Sequence, residues 1–136
     1  MNPSTRFPFP SQLENLSRRL KEDKRICAAY LHGSAVKGGM RPNSDVDIAL
    51  LLVPGQHLTT LERLELSADL EIVLGRSVDI GILSTNNVVY AKEVAAGGQI
   101  LFTKNQLESD RFIAHALSMY AELQSSRQEI LKAYAI

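Results

Sequence analysis

The residues whose types and spacing most clearly indicate chemistry are two aspartates, Asp45 and Asp47. They stand at the start of a predicted strand over residues 45–53. Residues i and i+2 of a strand project from the same face, roughly 6.5–7 Å apart along it. Two carboxylates on one face repel each other unless they are protonated or neutralised by a cation. Magnesium commonly joins one or two carboxylates to substrate phosphates, so the pair indicates a metal and phosphate site.

A Gly-Ser pair, Gly33 and Ser34, follows a predicted buried strand over residues 26–32. Glycine lets the backbone approach a ligand without a Cβ in the way. If Ser34 begins a short helix, its amide and hydroxyl face the position of a phosphate, although a plain turn explains the same two residues. Lys37 and Arg41 lie in the loop that follows, where they either contact phosphate or are solvated.

A third carboxylate, Asp79, lies inside an apolar strand predicted over residues 78–83. An unpaired carboxylate inside such a strand is costly, so Asp79 either faces solvent on an edge strand or joins Asp45 and Asp47 in a three-carboxylate site. In the second case, two metal ions about 3.5–4 Å apart could clamp the attacking and leaving oxygens. Asp79 could then also act as the general base for an acceptor hydroxyl.

Capping signals predict the helices that would position these strands. Serine or threonine followed three residues later by glutamate predicts helix starts at Ser11 and Thr59. The first of these helices runs to about Asp23, and Gly75 ends the second. Asn86 is predicted to cap a third, shorter helix.

The complete order of predicted elements is helix, strand, short helix, strand, helix, strand, helix, strand, helix. Residues 99–102 form the fourth strand and the last helix runs from 106 to the end of the sequence. This order predicts an α/β (α+β) domain with a small mixed sheet of about four strands, flanked by helices and ending in a long C-terminal helix. Residues 1–10, with three prolines, form an extended arm, and residues 11–136 form a single domain.

The composition excludes several classes of protein. Fifteen basic residues balance fifteen acidic ones, which argues against direct nucleic-acid binding through a global charge. The single cysteine, Cys27, forms no internal disulfide and suggests no metal-ligand spacing. Neither a secretory signal nor a membrane-spanning apolar run of about 20 residues is present, so we expect a cytoplasmic protein without a membrane partner.

The pattern Gly33-Ser34, a ten-residue spacer over 35–44, and Asp45-Val46-Asp47 resembles the G-S-x10-D-x-D signature of the polymerase β type of nucleotidyltransferases. In length, the chain is similar to the minimal nucleotidyltransferases (MNT), which are antitoxins paired with HEPN-domain toxins. The third acid, in the strand that holds Asp79, fits the same family pattern. The resemblance extends over most of the chain and is more specific than any one of these features.

The resemblance implies a magnesium-dependent transfer of AMP from ATP to a tyrosine of a HEPN ribonuclease. Asp45 and Asp47 would hold two magnesium ions, Asp79 would complete the site, and Gly33 with Ser34 would hold the triphosphate. Larger members that modify small molecules carry an additional helical domain, which disfavours a small-molecule acceptor here and points to a second protein. An antitoxin that neutralises its partner by binding alone remains the alternative.

Overall fold

The computed structural model describes residues 10–41 and 43–135. In these residues five helices and four strands follow one another in the predicted order. No helix among them is both long and apolar enough to cross a membrane. The elements are α1 Pro10–Lys21, β1 Ile26–His32, α2 Ser34–Lys37, β2 Val46–Leu52, α3 Thr60–Leu74, β3 Val78–Ile82, α4 Val88–Gly97, β4 Gln99–Thr103 and α5 Gln106–Tyr134.

The four strands form one mixed sheet in the order β3-β2-β1-β4. Strand β1 is antiparallel to both of its neighbours, while β2 and β3 run parallel. The parallel pair is joined by α3, as a parallel connection requires a crossover. The predicted four-stranded mixed sheet and the long last helix are therefore confirmed.

Alternation along the strands separates two hydrophobic cores, one on each face of the sheet. The core on the side of α1 and α3 contains Leu16, Leu20, Ile48, Leu50 and Leu70. The core on the side of α4 and α5 contains Ala28, Tyr30, Ala49, Ala91 and Val94. By the same alternation, positions 32 and 47 belong to the α4 and α5 face, two residues beyond Tyr30 and two before Ala49.

Both ends of α3 are capped as the sequence predicts. The Thr59 side chain accepts a hydrogen bond from the amide of Glu62, and the Glu62 side chain accepts one from the amide of Thr59. Gly75 ends the helix in the left-handed conformation, with φ 74°, and donates its amide to the carbonyl of Glu71. Because both caps are local, the sequence alone was sufficient to predict them.

Two other helix starts differ from the prediction. Helix α1 begins at Pro10 and ends at Lys21, so Ser11 lies inside its first turn, where the Ser11 hydroxyl bonds the Gln12 side chain instead of capping. Proline suits the first turn of a helix because an N–H at that position would have no acceptor within the helix. Pro10 therefore does not belong to the predicted arm, whose other residues, 1–9, lie outside the described part of the chain.

Helix α4 is capped by Asn87, not by Asn86. The Asn87 side chain accepts a hydrogen bond from the amide of Tyr90, 3.2 Å away. The amide of Asn86 instead donates to the hydroxyl of Ser84, which makes Asn86 part of the preceding turn. Two neighbouring asparagines offer the same capping chemistry, and the turn after β3 decides between them.

Candidate active site

Three polar side chains lie opposite one another across β1, β2 and β3, where β1 ends and the other two strands begin. His32 pairs in register with Asp47, and Asp47 pairs with Asp79. Neighbouring strands are about 4.8 Å apart, so directly opposed residues on one face are close neighbours. Asp47 and His32 are half-buried, and Asp79 is exposed. We call His32, Asp47 and Asp79 the strand-end row.

Asp79 therefore meets the first of the two descriptions that the sequence left open, and part of the second. It lies on β3, an edge strand, and its side chain is exposed. It is also the register partner of Asp47, and its negative charge raises the pKa of the Asp47 carboxyl. Parallel pairing of β2 with β3 brings the two acids together although 32 positions separate them in the chain.

Asp45 lies just before β2, not inside it, which corrects the prediction that both acids belong to the strand. The strand begins at Val46, whose amide donates to the carbonyl of Ser77 at 2.8 Å. Asp45 is exposed in the loop, and its charge contributes to raising the pKa of Asp47. Asp45 thus reaches the row from the loop, and the strand spacing does not define its distance from Asp47.

Burial is the main cause that raises the pKa of Asp47 above its ordinary value. His32 acts in the opposite direction and lowers it, whereas Asp79 and Asp45 raise it further. Burial and like charges both disfavour an ionised carboxylate, so a positive charge brought to this place would be strongly favoured. Perturbed carboxylates of this kind are characteristic of functional sites.

Within the described residues, no group of three or more His, Cys, Asp or Glu side chains is assembled to hold a metal ion. The three carboxylates predicted from the sequence therefore do not converge on one metal position in the protein itself. Asp45 lies outside β2, and the like charges repel one another. The donor set nevertheless fits magnesium, which is typically bound by one or two carboxylates together with substrate phosphates and water.

The Gly33 turn carries the backbone directly against the carboxylate of Asp47. Gly33 has φ 70° and ψ −147°, a combination that side chains rarely tolerate. A Cβ at this position would also collide with the Asp47 carboxylate oxygen. Ser34 begins the short helix α2, as predicted, and the amides of Val36 and Lys37 both donate to the carbonyl of Gly33. The turn and the acidic strand are thus one compact unit.

Lys37 and Arg41 are placed differently with respect to this unit. Lys37 is exposed at the end of α2, close to Gly97 of α4, and its charge helps to lower the pKa of His32. The contacts of Arg41 are made by its backbone: its amide donates to the Ser44 hydroxyl at 2.8 Å. Lys37 therefore lies beside the strand-end row, whereas the Arg41 side chain is exposed in the loop.

Arg76 is a residue near the site to which the sequence pattern assigned no role. Its guanidinium donates to the backbone carbonyls of Arg41 and Ser44, the latter at 3.5 Å. It thereby holds the turn that leads into Asp45 from the strand β3 side. The available signal was its position, directly after the Gly75 helix stop and before β3.

The row is covered from α4 by Tyr90. The Tyr90 hydroxyl and His32 Nε2 share a hydrogen bond of 3.0 Å, and the two rings meet edge to face. Burial, with the charges of Asp79 and Asp47, raises the pKa of Tyr90 to about 12. Burial also lowers the pKa of His32. No sequence signal connects residues 58 positions apart.

A mixed four-stranded sheet, with a Gly-Ser turn after its first strand and aspartates in register on the next two, defines a nucleotidyltransferase of the polymerase β type. The sequence matches the family described as polymerase beta, nucleotidyltransferase, over residues 14–107. The chain belongs to this family.

Several known proteins are similar to this chain. Protein adenylyltransferase MntA of Shewanella oneidensis is 34% identical over 120 residues, covering 87% of this chain and 84% of that protein. A crystal structure of a toxin–antitoxin with AMP-PNP matches with a TM-score of 0.74 and 31% identity, over 90% of this chain and 98% of the other. A complex of the tri-AMPylated Shewanella oneidensis HEPN toxin with its MNT antitoxin matches with a TM-score of 0.69 and 27% identity, over 93% and 98%.

Proposed function

We propose that this chain is a protein adenylyltransferase that transfers AMP from ATP to a tyrosine of a HEPN-domain toxin and thereby acts as its antitoxin. The observation that carries the proposal is the pairing of Asp47 with Asp79 in register, beside the Gly33 turn. The similarity to protein adenylyltransferase MntA and to a HEPN toxin–MNT antitoxin complex supports a HEPN-domain protein as the acceptor. The cytoplasmic location expected from the sequence is part of the proposal.

The triphosphate would be held at the turn between β1 and β2. Gly33 brings its backbone against Asp47 without a side chain in the way. The amide and hydroxyl of Ser34, at the start of α2, would then bind phosphate oxygens. Lys37 lies at the end of the same short helix and would contribute positive charge, and Arg41 would do so from the loop. These side chains and backbone groups would bind and orient ATP; such positioning supplies most of the catalysis in phosphoryl-type transfer.

Asp45, Asp47 and Asp79 would bind magnesium together with the phosphates of ATP. When bound, the cation would supply positive charge beside Asp47, whose pKa is raised by burial and by the neighbouring acids. Asp79, which is exposed on the edge strand β3, would accept the proton of the acceptor tyrosine hydroxyl. The tyrosine oxygen then forms a bond to the α-phosphorus, the bond to the bridging oxygen breaks, and pyrophosphate leaves with its electron pair.

A second candidate, neutralisation by binding alone, is favoured by the surface of α5. This helix spans 29 residues and exposes large apolar side chains along its length. They are Leu107, Leu117, Ile130, Leu131 and Tyr134. A helix with so much uncovered apolar surface is suited to contact another protein, whether or not AMP is then transferred.

The test is to incubate the purified chain with ATP labelled at the α-phosphate, magnesium and the HEPN protein encoded beside it, with and without a chelator. We expect label on the partner, a mass increase of one or more AMP groups on a tyrosine, and loss of both with chelator. Absence of transfer by the folded protein would contradict the enzymatic proposal.

The two candidate functions separate on toxin neutralisation at matched protein levels. If AMP transfer neutralises the toxin, Asp45→Asn should bind the partner and fail to protect cells. If masking is sufficient, the same variant should protect fully. Asp69→Asn is the matched control, because Asp69 is an exposed aspartate on α3, outside the apolar surface of α5, and is paired with Arg19.

A further inference from the structure

From the bond between α4 and the end of β1, we propose that Tyr90 is a positioning residue that holds His32, and with it the Gly33 turn, in the arrangement that AMP transfer requires. The inference rests on the proposed function, and assigns to it a residue in a helix that carries none of the family signature. It begins from the hydrogen bond of 3.0 Å between the Tyr90 hydroxyl and His32 Nε2.

Both ends of Tyr90 are anchored. Its amide donates to the Asn87 side chain, which caps α4, so its backbone lies in the first turn of that helix. Its hydroxyl reaches the last residue of β1. A side chain that is fixed at both ends has few rotamers left, so it transmits the position of α4 to the end of the strand.

The sheet beneath the ring is built from small residues. A Cβ on Gly81 of β3 would collide with the Tyr90 hydroxyl and ring. The residue opposite Gly81 on β2 is Ala49. The ring therefore passes over β3 and β2 on its way to β1, through space that larger side chains would fill. Glycine in the interior of a strand weakens the strand, and here it admits the tyrosine.

His32 is the residue through which this contact would affect the chemistry. It lies directly opposite Asp47, and it is followed by Gly33, whose backbone lies against the Asp47 carboxylate. A shift of His32 would change the distance between the phosphate-binding turn and the carboxylates. Transfer reactions are sensitive to such shifts, since a misplacement of about 1 Å can cost about a hundredfold in rate.

Packing alone does not require a polar pair at this place. Two apolar side chains of similar shape can replace a half-buried hydrogen-bonded pair with little change in stability. The negative charges of Asp47 and Asp79 beside the bond raise the pKa of Tyr90 and so favour its protonated hydroxyl. A hydrogen bond that fixes direction is what positioning needs.

The test compares Tyr90→Phe, His32→Leu and the double variant with wild type, at a temperature well below unfolding. We expect Tyr90→Phe to lower kcat for AMP transfer about tenfold while KM for ATP stays within about twofold, because orientation is lost and binding is kept. The double variant should be no slower than the slower single one, because both changes remove the same bond. Tyr120→Phe is the matched control; its hydroxyl accepts from Gln124 on α5.

Gly81→Ala tests the same contact without changing either partner. The added methyl group should displace Tyr90 and reproduce the loss of kcat, and on a Tyr90→Ala background it should cause no further loss. Unchanged kcat in Tyr90→Phe, or additive effects of Tyr90→Phe and His32→Leu, would overturn the inference. Wild-type transfer in the same assay keeps this outcome distinct from failure of the proposed function, which would show as no transfer by wild type.

Discussion

The two ends of the central strand β1 carry charges in opposite arrangements. Where β1 begins, the guanidinium of Arg25 bonds the carboxylates of Asp23 at 2.6 Å and Glu62 at 2.9 Å. These bonds lower the pKa of Asp23 and raise that of Arg25. Where β1 ends, burial and neighbouring acids raise the pKa of Asp47.

The charges at the first end stabilise the fold, whereas we expect those at the second end to bind a ligand. At the first end, an arginine is paired with two carboxylates and ties β1 to the start of α3, because Glu62 also belongs to the capping box. At the second end, the sheet brings acids together, and the pKa of Asp47 is raised, which is the direction that disfavours its charge. Such a conflict is tolerated when a bound cation resolves it during function.

Replacing Asp47 should break the second arrangement with the largest effect on activity. We expect Asp47→Asn to lower AMP transfer about a thousandfold, since it removes a ligand that neutralises developing charge. Thermal unfolding should show equal or slightly greater stability, because a repelling, half-buried charge is removed. A variant with wild-type transfer would refute the role of Asp47, and Asp69→Asn is again the control.

Gly33→Ala should reduce activity about a hundredfold, because its Cβ would displace the Asp47 carboxylate or the turn. It should also cost about 1–3 kcal/mol of unfolding free energy, since alanine tolerates this backbone conformation poorly. Gly55→Ala is the matched control: Gly55 also has positive φ, 86°, but no atom lies within 4 Å of its added Cβ. Both variants should lose stability in urea, and transfer should fall only in Gly33→Ala.

Asp23→Asn should break the first arrangement and spare the second. The loss of charged hydrogen bonds to Arg25 should lower the unfolding free energy by about 1–2 kcal/mol, with transfer rates unchanged. Asp69→Asn provides the comparison, because the Arg19–Asp69 pair is more exposed and such pairs contribute at most about 1 kcal/mol. An equal loss of unfolding free energy in both variants would show that the partly buried network of Arg25 stabilises the fold no more than the exposed Arg19–Asp69 pair.

The smallest effect, opposite in sign at the two ends, should appear in the pH dependence of stability. The folded-state pKa of Asp23 is lowered, so its stabilising contribution is complete above the ordinary aspartate value of 3.8 and is lost as pH falls through the folded value. The pKa of Asp47 is raised, so its charge destabilises above the folded value and that penalty disappears as pH falls below 3.8.

Urea unfolding of wild type, Asp23→Asn and Asp47→Asn should separate these contributions. On lowering the pH, wild type should lose its advantage over Asp23→Asn, and any advantage of Asp47→Asn over wild type should also vanish. A stability difference between Asp47→Asn and wild type that grows as the pH falls would contradict the direction assigned to Asp47.

Much of the fold followed from local patterns. The apolar run of β1, the capping box at Thr59 and the glycine stop at Gly75 predicted their elements correctly, because each depends on residues within one or two turns. Predictions failed where two local solutions were equally good, as at Asn86 and Asn87. The start of β2 was also placed one residue early, since pairing with Ser77 decides where that strand begins.

The sequence by itself determined the chemistry that is available: a glycine-serine turn followed ten residues later by two aspartates, which needs no tertiary information to recognise. Only the tertiary structure decided how these groups meet. Parallel pairing places Asp79 opposite Asp47, and packing of α4 places Tyr90 on His32. These contacts join residues 32 and 58 positions apart, which no local periodicity encodes. Sheet register and helix packing arise only when the whole core is buried, and they complete the candidate site.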